Sequence, residues 1–443
     1  MCAAVALSCL SPPAQALQRA SRPVTLDTPD TSEHRRPSVA VDARGDAIVV
    51  WQGPGGLQST SRPAGQGWEA PEALLFSEEH PFVALDERGD AMSLAGGYIS
   101  VRSSFRPAGG TWLSPESLPG LAEPGREPVA QGYGADLALE GQGGALAAWV
   151  DSPHPSAHAV APQFVQVASR PAGGTWGSLT TLSEGQFGAA HAALDARGDA
   201  LVWWVRGDGE GSVAESAFRP AGGTWQAATD LPAEWGSPGS LSIALDARGD
   251  AVAVWEHLAG PNHVVVSAFR PAGGRWETPQ DISAPSSGAT SPELVMNARG
   301  DAIAVWNSGY FTSSALQAAV RTPGKGWGRP RQLWSSNLAP VAPHAALDAR
   351  GDAVVVWVGV DGLPSGSTVE AATRAAGGAW QKPYPVSARG QIALAPDLAM
   401  SARGDAIVVW ELEQGRRGVI QAATVQLPPR KPERRRSRSR TRR

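Results

Sequence analysis

The chain has 443 residues, 42% of them apolar, with Gly 51, Pro 37 and a formal net charge of −4. No apolar run reaches the length of a membrane-spanning helix, and the only cysteines, Cys2 and Cys9, precede the folded body, which excludes disulfide or thiol chemistry there. Residues 430–443 carry +8, so the remainder carries about −12 and gives nucleic acid no reason to bind it.

Residues 1–16 are small and apolar and end in Ala14-Gln15-Ala16, which suits signal-peptidase cleavage, although no basic segment precedes them. They predict an exported protein of the cell envelope or exterior. Residues 17–36 are polar, but Ser21-Arg22-Pro23-Val24-Thr25-Leu26 echoes in shortened form a phrase that recurs later. From 37 to 427 two phrases alternate. The first is Val39-Ala40-Val41-Asp42-Ala43-Arg44-Gly45-Asp46-Ala47-Ile48-Val49-Val50-Trp51. Its glycine returns at Gly89, Gly143, Gly198, Gly249, Gly300, Gly351 and Gly404, in steps of 44 to 55 residues. The second is Ser104-Phe105-Arg106-Pro107-Ala108-Gly109-Gly110-Thr111-Trp112, with its tryptophan also at Trp68, Trp176, Trp225, Trp276, Trp327 and Trp380. A period of about fifty residues with two turn signals per unit marks a propeller or similar array.

Within each unit, Val39 to Val41 alternates as a strand, Asp42 opens a type I turn and Gly45 takes the left-handed position. Ala47 to Trp51 returns as a β-branched strand. A variable loop, a third strand ending in Arg-Pro, a glycine turn and a fourth strand beginning at the tryptophan complete a four-stranded antiparallel blade. The tryptophans are expected to fill the widening space between blades. The second unit has Ala95 at the strand-two tryptophan position. The third replaces the turn with Glu140-Gly141-Gln142-Gly143-Gly144 and carries insertions over roughly 119–133 and 151–163. The eighth ends after three strands, Leu398 to Val425, and Ser21 to Leu26 can supply its fourth. The expected fold is an all-β propeller of four-stranded blades, eight by count, closed by pairing of N- and C-terminal strands. Seven blades plus a stray hairpin is the alternative. The Arg- and Ser-rich tail at 428–443 reads as disordered, a segment able to meet anionic polymer, membrane surface or nucleic acid.

The phrase Phe105 to Trp112 resembles the Asp-box (BNR) repeat of sialidase-like propellers. Gly109, Thr111 and Trp112 match it, as do Gly173, Thr175, Trp176 and Gly222, Thr224, Trp225, whereas proline, or Ala375 in the seventh unit, replaces the aspartate. The resemblance implies a propeller with these turns between third and fourth strands. Sialidases also need an arginine cluster, a tyrosine–glutamate pair and an acid–base aspartate. Tyr98, Tyr133, Tyr310 and Tyr384 lie in no matching context, so no catalytic residue carries over.

Arg-Gly-Asp occurs seven times, from Arg44-Gly45-Asp46 to Arg403-Gly404-Asp405. The tripeptide suggests adhesion, but turn geometry alone already asks for glycine and flanking polar residues. Two carboxylates per loop with an arginine between them argue against calcium. Arg62, Arg106, Arg170, Arg219, Arg270, Arg321 and Arg374 are expected to pair with acidic neighbours on the same face. The opposite face carries variable loops, including Asp151 to His158 and Asn307 to Phe311, where rigid scaffolds often place function. Four residues before each turn aspartate or its equivalent stand Ser38, Phe82, Asp136, His191, Ser242, Glu293, His344 and Asp397. This position belongs at the rim of the central channel. Asp136, His191, Glu293, His344 and Asp397 are therefore the candidate ligand-binding residues, able to converge on a metal or a polar ligand, though whole-blade spacing fixes no metal-ligand distances.

The sequence predicts an exported, monomeric, non-enzymatic binding propeller, with glycan, envelope polymer or protein as partner and no cofactor or metal assigned. A glycan-processing hydrolase or lyase at the channel rim is one alternative, which needs two carboxyls at a set separation. An adhesin acting through its Arg-Gly-Asp turns is another.

Overall fold

The computed structural model describes residues 19–27, 36–53, 55–74, 81–96, 101–119, 136–151, 163–207, 212–231, 240–260, 262–285, 288–310, 313–338, 340–360, 366–415 and 417–428. The leader read at 1–16, the tail beyond 428, most of both third-unit insertions, and residues 152–158 and 311 of the variable loops lie outside these. Every element among the described residues is a β-strand, and no helix there is long and apolar enough to cross a membrane.

Each repeat folds as an antiparallel meander, giving a propeller-like fold of repeated blades. In the first unit Ser38–Val41, Ala47–Gly53, Gly56–Arg62 and Glu72–Ala73 lie side by side in chain order. Ala47 to Trp51 is apolar at every position because both faces of this strand are covered, and all five residues are at most 2% exposed. The strand period of two divides them between different cores. Val49 and Trp51 pack with Ile407, Val409 and Ile420 of the eighth unit, whereas Ile48 and Val50 pack with Val83, Ala91 and Ala95 of the second. The same division recurs down the chain, so each apolar cluster belongs to two neighbouring units. The strand-two tryptophans Trp51, Trp149, Trp204, Trp306, Trp357 and Trp410 are wholly buried in these clusters.

The eighth unit, Ile392–Met400, Ala406–Gln414 and Arg417–Val425, takes its outermost strand from the other end of the chain. Val24 and Thr25 pair antiparallel with Ala422 and Gln421, and Leu26 N–H donates to the Ile420 carbonyl at 2.8 Å. The Leu26 side chain is buried in the cluster joining the last unit to the first.

Two details depart from the sequence reading. The fourth strand starts not at the tryptophan but about a turn beyond it, as at Glu116–Ser117 after Trp112. One backbone bond, Leu113 N–H to the Phe105 carbonyl, holds the tryptophan segment beforehand. The sixth unit, where Gly326–Trp327 pairs with the third strand, keeps the expected form. Units three and four are joined without a break, because Thr180–Leu194 is both the fourth strand of one and the first strand of the next.

The Asp-Ala-Arg-Gly-Asp turn is dictated locally. Asp42 Oδ1 accepts N–H bonds from Arg44, Gly45 and Asp46 at 2.8–2.9 Å. The eight turn glycines lie at φ between +84° and +100°, where a side chain is strained. Space also requires glycine, since a β-carbon at Gly45 would sit 3.0 Å from Asp405 Oδ2 of the eighth unit's turn. Each turn thus abuts the turn before it. The second aspartate joins the two hairpins of one blade: Asp46, Asp90, Asp199, Asp250 and Asp352 each accept the N–H of the alanine after Arg-Pro, or of Ala376, at 2.7–2.8 Å.

Two stability measurements test these contacts. In urea denaturation Leu26→Ala should lower the unfolding free energy by about 2–3 kcal/mol through the cavity it leaves. Gly45→Ala should cost about 1–3 kcal/mol, and more than Gly65→Ala, whose β-carbon would meet nothing within 4 Å.

Candidate functional site

The Arg-Gly-Asp face uses its charges internally. Arg44 bonds Asp42 and Asp46, both at 3.0 Å, and the Arg88 carbonyl of the next turn at 2.8 Å. Arg197 and Arg248 likewise pair with both aspartates of their own turns, and Arg299, whose turn opens with Asn297, pairs with Asp301. The arginines before proline were expected to form ion pairs. Among the described residues Arg106 does so, with Glu72 at 3.4 Å. Most of the others stack instead on aromatic rings. Arg170, Arg270 and Arg321 lie 4.3–4.4 Å from the ring centroids of Phe105, Phe218 and Phe269 in the preceding unit. Burial lowers the pKa of these three guanidiniums, against the pull of acids such as Asp199 and Asp250 in the unit before. Flat cations between blades gain from both ring and field. The half-buried tryptophans complete these seams: Trp112, Trp176, Trp276 and Trp327 donate from Nε1 to Ser59, Ser103, Ser216 and Ser267 at 2.7–3.0 Å.

The candidate residues and their equivalents stand at the other end of the first strands, away from the turns. There a side chain accepts the backbone N–H that follows the equivalent residue of the next unit. Ser38 Oγ takes Val83 N–H at 3.3 Å, Asp136 Oδ2 takes Ala192 at 3.1 Å, and Ser242 Oγ takes Leu294 at 3.2 Å. Glu293 Oε1 takes Ala345 N–H and Asp397 Oδ2 takes Val39 N–H, each at 2.9 Å. The last of these runs from the eighth unit to the first.

Two histidine–carboxylate contacts result. His191 Nδ1 lies 3.5 Å from Asp136 Oδ2, with its ring stacked on Trp203 at a centroid distance of 5.5 Å. His344 Nδ1 lies 3.3 Å from Glu293 Oε2. Asp397, on the next first strand, adds its charge to His344. The five candidates therefore form two groups, Asp136–His191 and Glu293–His344–Asp397. No cluster of three or more His, Cys, Asp or Glu side chains among the described residues could hold a metal ion.

Burial opposes the charge on His344, but the attraction and hydrogen bond of Glu293 and the charge of Asp397 outweigh it and push its pKa up to about 9. More than a third of the side chain still meets solvent.

A backbone feature beside the second group was not anticipated. Ser291, Ala342 and Ala395 have φ of 51°, 47° and 44°, each two residues before Glu293, His344 and Asp397, and Arg36 at 35° precedes Ser38 in the same way. Each is followed by proline: Pro37, Pro292, Pro343 and Pro396. The strand registers shift at the same places, between Thr290 and Glu293, Val341 and His344, and Leu394 and Asp397. Non-glycine residues there cost about 1–3 kcal/mol each and persist only where surroundings hold them. Glu256 Oε2 holds one of them, accepting Ser291 N–H at 3.1 Å, while its Oε1 lies 2.6 Å from His263 Nδ1. The signal in the sequence was proline at one fixed phase, directly before the rim residue.

Comparison with family models and with curated proteins finds no match. Among solved structures the chain is similar to polysaccharide lyase Uly1, with 10% identity, TM-score 0.49 and coverage of 90% of this chain and 91% of that one. It is similar also to a streptogramin B lyase, at 10% identity and TM-score 0.45 over 91% and 97% of the two chains. An Aleuria aurantia lectin mutant in complex with Fucα1-6GlcNAc shows 13% identity and TM-score 0.38 over 66% and 94%. Likeness at this level assigns no activity.

The His344 charge has a pH signature. Its folded pKa exceeds the ordinary 6.5, so protonation stabilises the fold fully below that value, and the contribution falls away as pH rises through about 9. The stability difference between wild type and His344→Asn, followed by urea denaturation, should therefore shrink between pH 6.5 and 9. A difference flat with pH would show that the Glu293 pairing does not act on folding.

Proposed function

We propose that this chain is an exported, monomeric, non-enzymatic propeller of eight blades, closed by its own N-terminal strand. On this reading it binds a small polar ligand at the channel mouth built by units six to eight. Three contacts between the last unit and the first support closure: the shared cluster around Leu26, the pairing of Val24 and Thr25, and the bond from Val39 N–H to Asp397.

The observation that carries the binding site is the threefold recurrence of left-handed residue, proline and charged rim residue at Ser291 to Glu293, Ala342 to His344 and Ala395 to Asp397. Strain of this kind gathers at ligand sites, because it pre-organises them. The same three strands leave Val341 54% and Leu394 38% exposed, giving the charged trio an apolar border. A mouth with a cation flanked by two carboxylates suits a zwitterionic or hydroxyl-rich solute, and a glycan or envelope-polymer fragment is the favoured class.

Binding is favoured over hydrolysis because the carboxylates are already engaged. Asp397 accepts backbone N–H bonds on both oxygens and Glu293 on Oε1, bonds that a general acid would have to surrender. The same argument weakens the adhesin reading, since each bonded Arg-Gly-Asp turn holds its own ends.

Thermal unfolding of the full chain against a panel of amino acids, oligosaccharides and divalent metals tests the site. A ligand at a hundred times its Kd stabilises by about 2.7 kcal/mol. A shift lost in both Glu293→Gln and His344→Ala is expected. No shift with any solute, or one that persists in both variants, would remove the site. Release of reducing ends from a glycan, lost in Glu293→Gln, would replace the binding reading with the hydrolytic one.

A further inference from the structure

The seam between units three and four differs from its neighbours. At three seams, between units two and three, four and five, and five and six, the preceding unit places a phenylalanine under the arginine and a serine beneath the tryptophan Nε1: Phe105 and Ser103, Phe218 and Ser216, and Phe269 and Ser267. Unit three has Ser169 and Val167 at these two positions. Arg219 Nη1 donates to Ser169 Oγ at 2.6 Å, and the guanidinium lies over Trp225 of its own unit, 5.2 Å from the ring centroid. Val167 offers Trp225 nothing to donate to. Where those three seams have a phenyl ring, a cavity of about 510 Å³ opens.

Its lining is chemically one-sided. Ser169, Ser178 and Thr180 bring hydroxyls, Trp225 an aromatic ring, Val167 an apolar patch and Arg219 a cation, and no carboxylate is among the lining residues. The volume lies in the range of small-molecule sites. Arg219 has five N–H donors in a planar fork, a geometry that matches a carboxylate. Hydroxyl-bearing side chains beside an aromatic ring suit a pyranose, whose C–H face is apolar and whose edge is polar.

We propose that this cleft binds a carboxylated pyranose, a hexuronate residue of an acidic glycan. The site is separate from the channel mouth, so either can exist without the other.

Isothermal titration of the full chain with glucuronate, with glucose and acetate as controls, tests it. Glucuronate should bind saturably, and glucose and acetate at least about tenfold more weakly, because each lacks one of the two groups recognised. Trp225→Ala should weaken glucuronate binding about tenfold or more. Ser169→Phe restores the ring found in units two, four and five, and should abolish binding while the circular dichroism spectrum stays that of the wild type. If Ser169→Phe alters that spectrum, the double variant Ser178→Val/Thr180→Val carries the same expectation. His344→Asn should leave binding unchanged. Absence of saturable binding, equal binding of acetate or glucose, or full retention in the cavity-filling variant would overturn the proposal.

Discussion

The structure depends on one constraint: the second strand of every unit is covered on both faces, and its alternate residues belong to different cores. Ile48 and Val50 serve the seam on one side, Val49 and Trp51 the seam on the other. A single unit would expose half of its apolar strand, so stability resides in seams rather than in units. That is why the tryptophans, the stacked arginines and the turn aspartates all lie at or near boundaries between repeats. It also explains why the terminal strand matters more than its length suggests. Val24 and Thr25 are exposed and add a short ladder, but Leu26 completes a core that two units share.

The two ends of the first strands solve the same packing problem with different chemistry. At the turn end the solution repeats closely: a glycine in every unit, and in most units an aspartate and an arginine locked to it and to the next turn. The Arg-Gly-Asp tripeptide is accounted for there by geometry alone. At the rim end the solution varies. Serine, aspartate and glutamate all accept the neighbour's N–H, and histidine comes into play only opposite a carboxylate. Variation against a fixed scaffold is where a site can be placed without disturbing the fold.

Much of this was legible in the sequence. The period, the turn glycines and the borrowed terminal strand all follow from spacing and turn chemistry. The pairing of the rim residues was not, because residues about fifty apart give no hint of whether a side chain turns along the strand or across to the next one. Asp397 turns across to Val39, on the far side of the chain's own ends. The arginines misled for a related reason. Charge suggests an acid as partner, yet the phenylalanine one residue earlier in the preceding unit offers a closer and drier surface. The cleft beside Trp225 escaped because it lies where units two, four and five carry a phenylalanine and unit three a serine, and that difference stands out only once those seams are seen.

The rim bonds all run one way, from an acceptor in one unit to a donor in the unit that follows. An unsealed chain would therefore end in two unlike edges, acceptors and the uncovered faces of Ile420 and Ala422 on one, donors and the uncovered faces of Val39 and Val49 on the other. These edges are complementary to each other and not to themselves. A molecule whose first strands failed to reach its last unit would find the matching edge on a second molecule, and a head-to-tail association of that kind does not terminate by symmetry. On the closed-ring reading, the contacts among Leu26, Val39, Val49 and the last unit are what keep these edges from a second molecule.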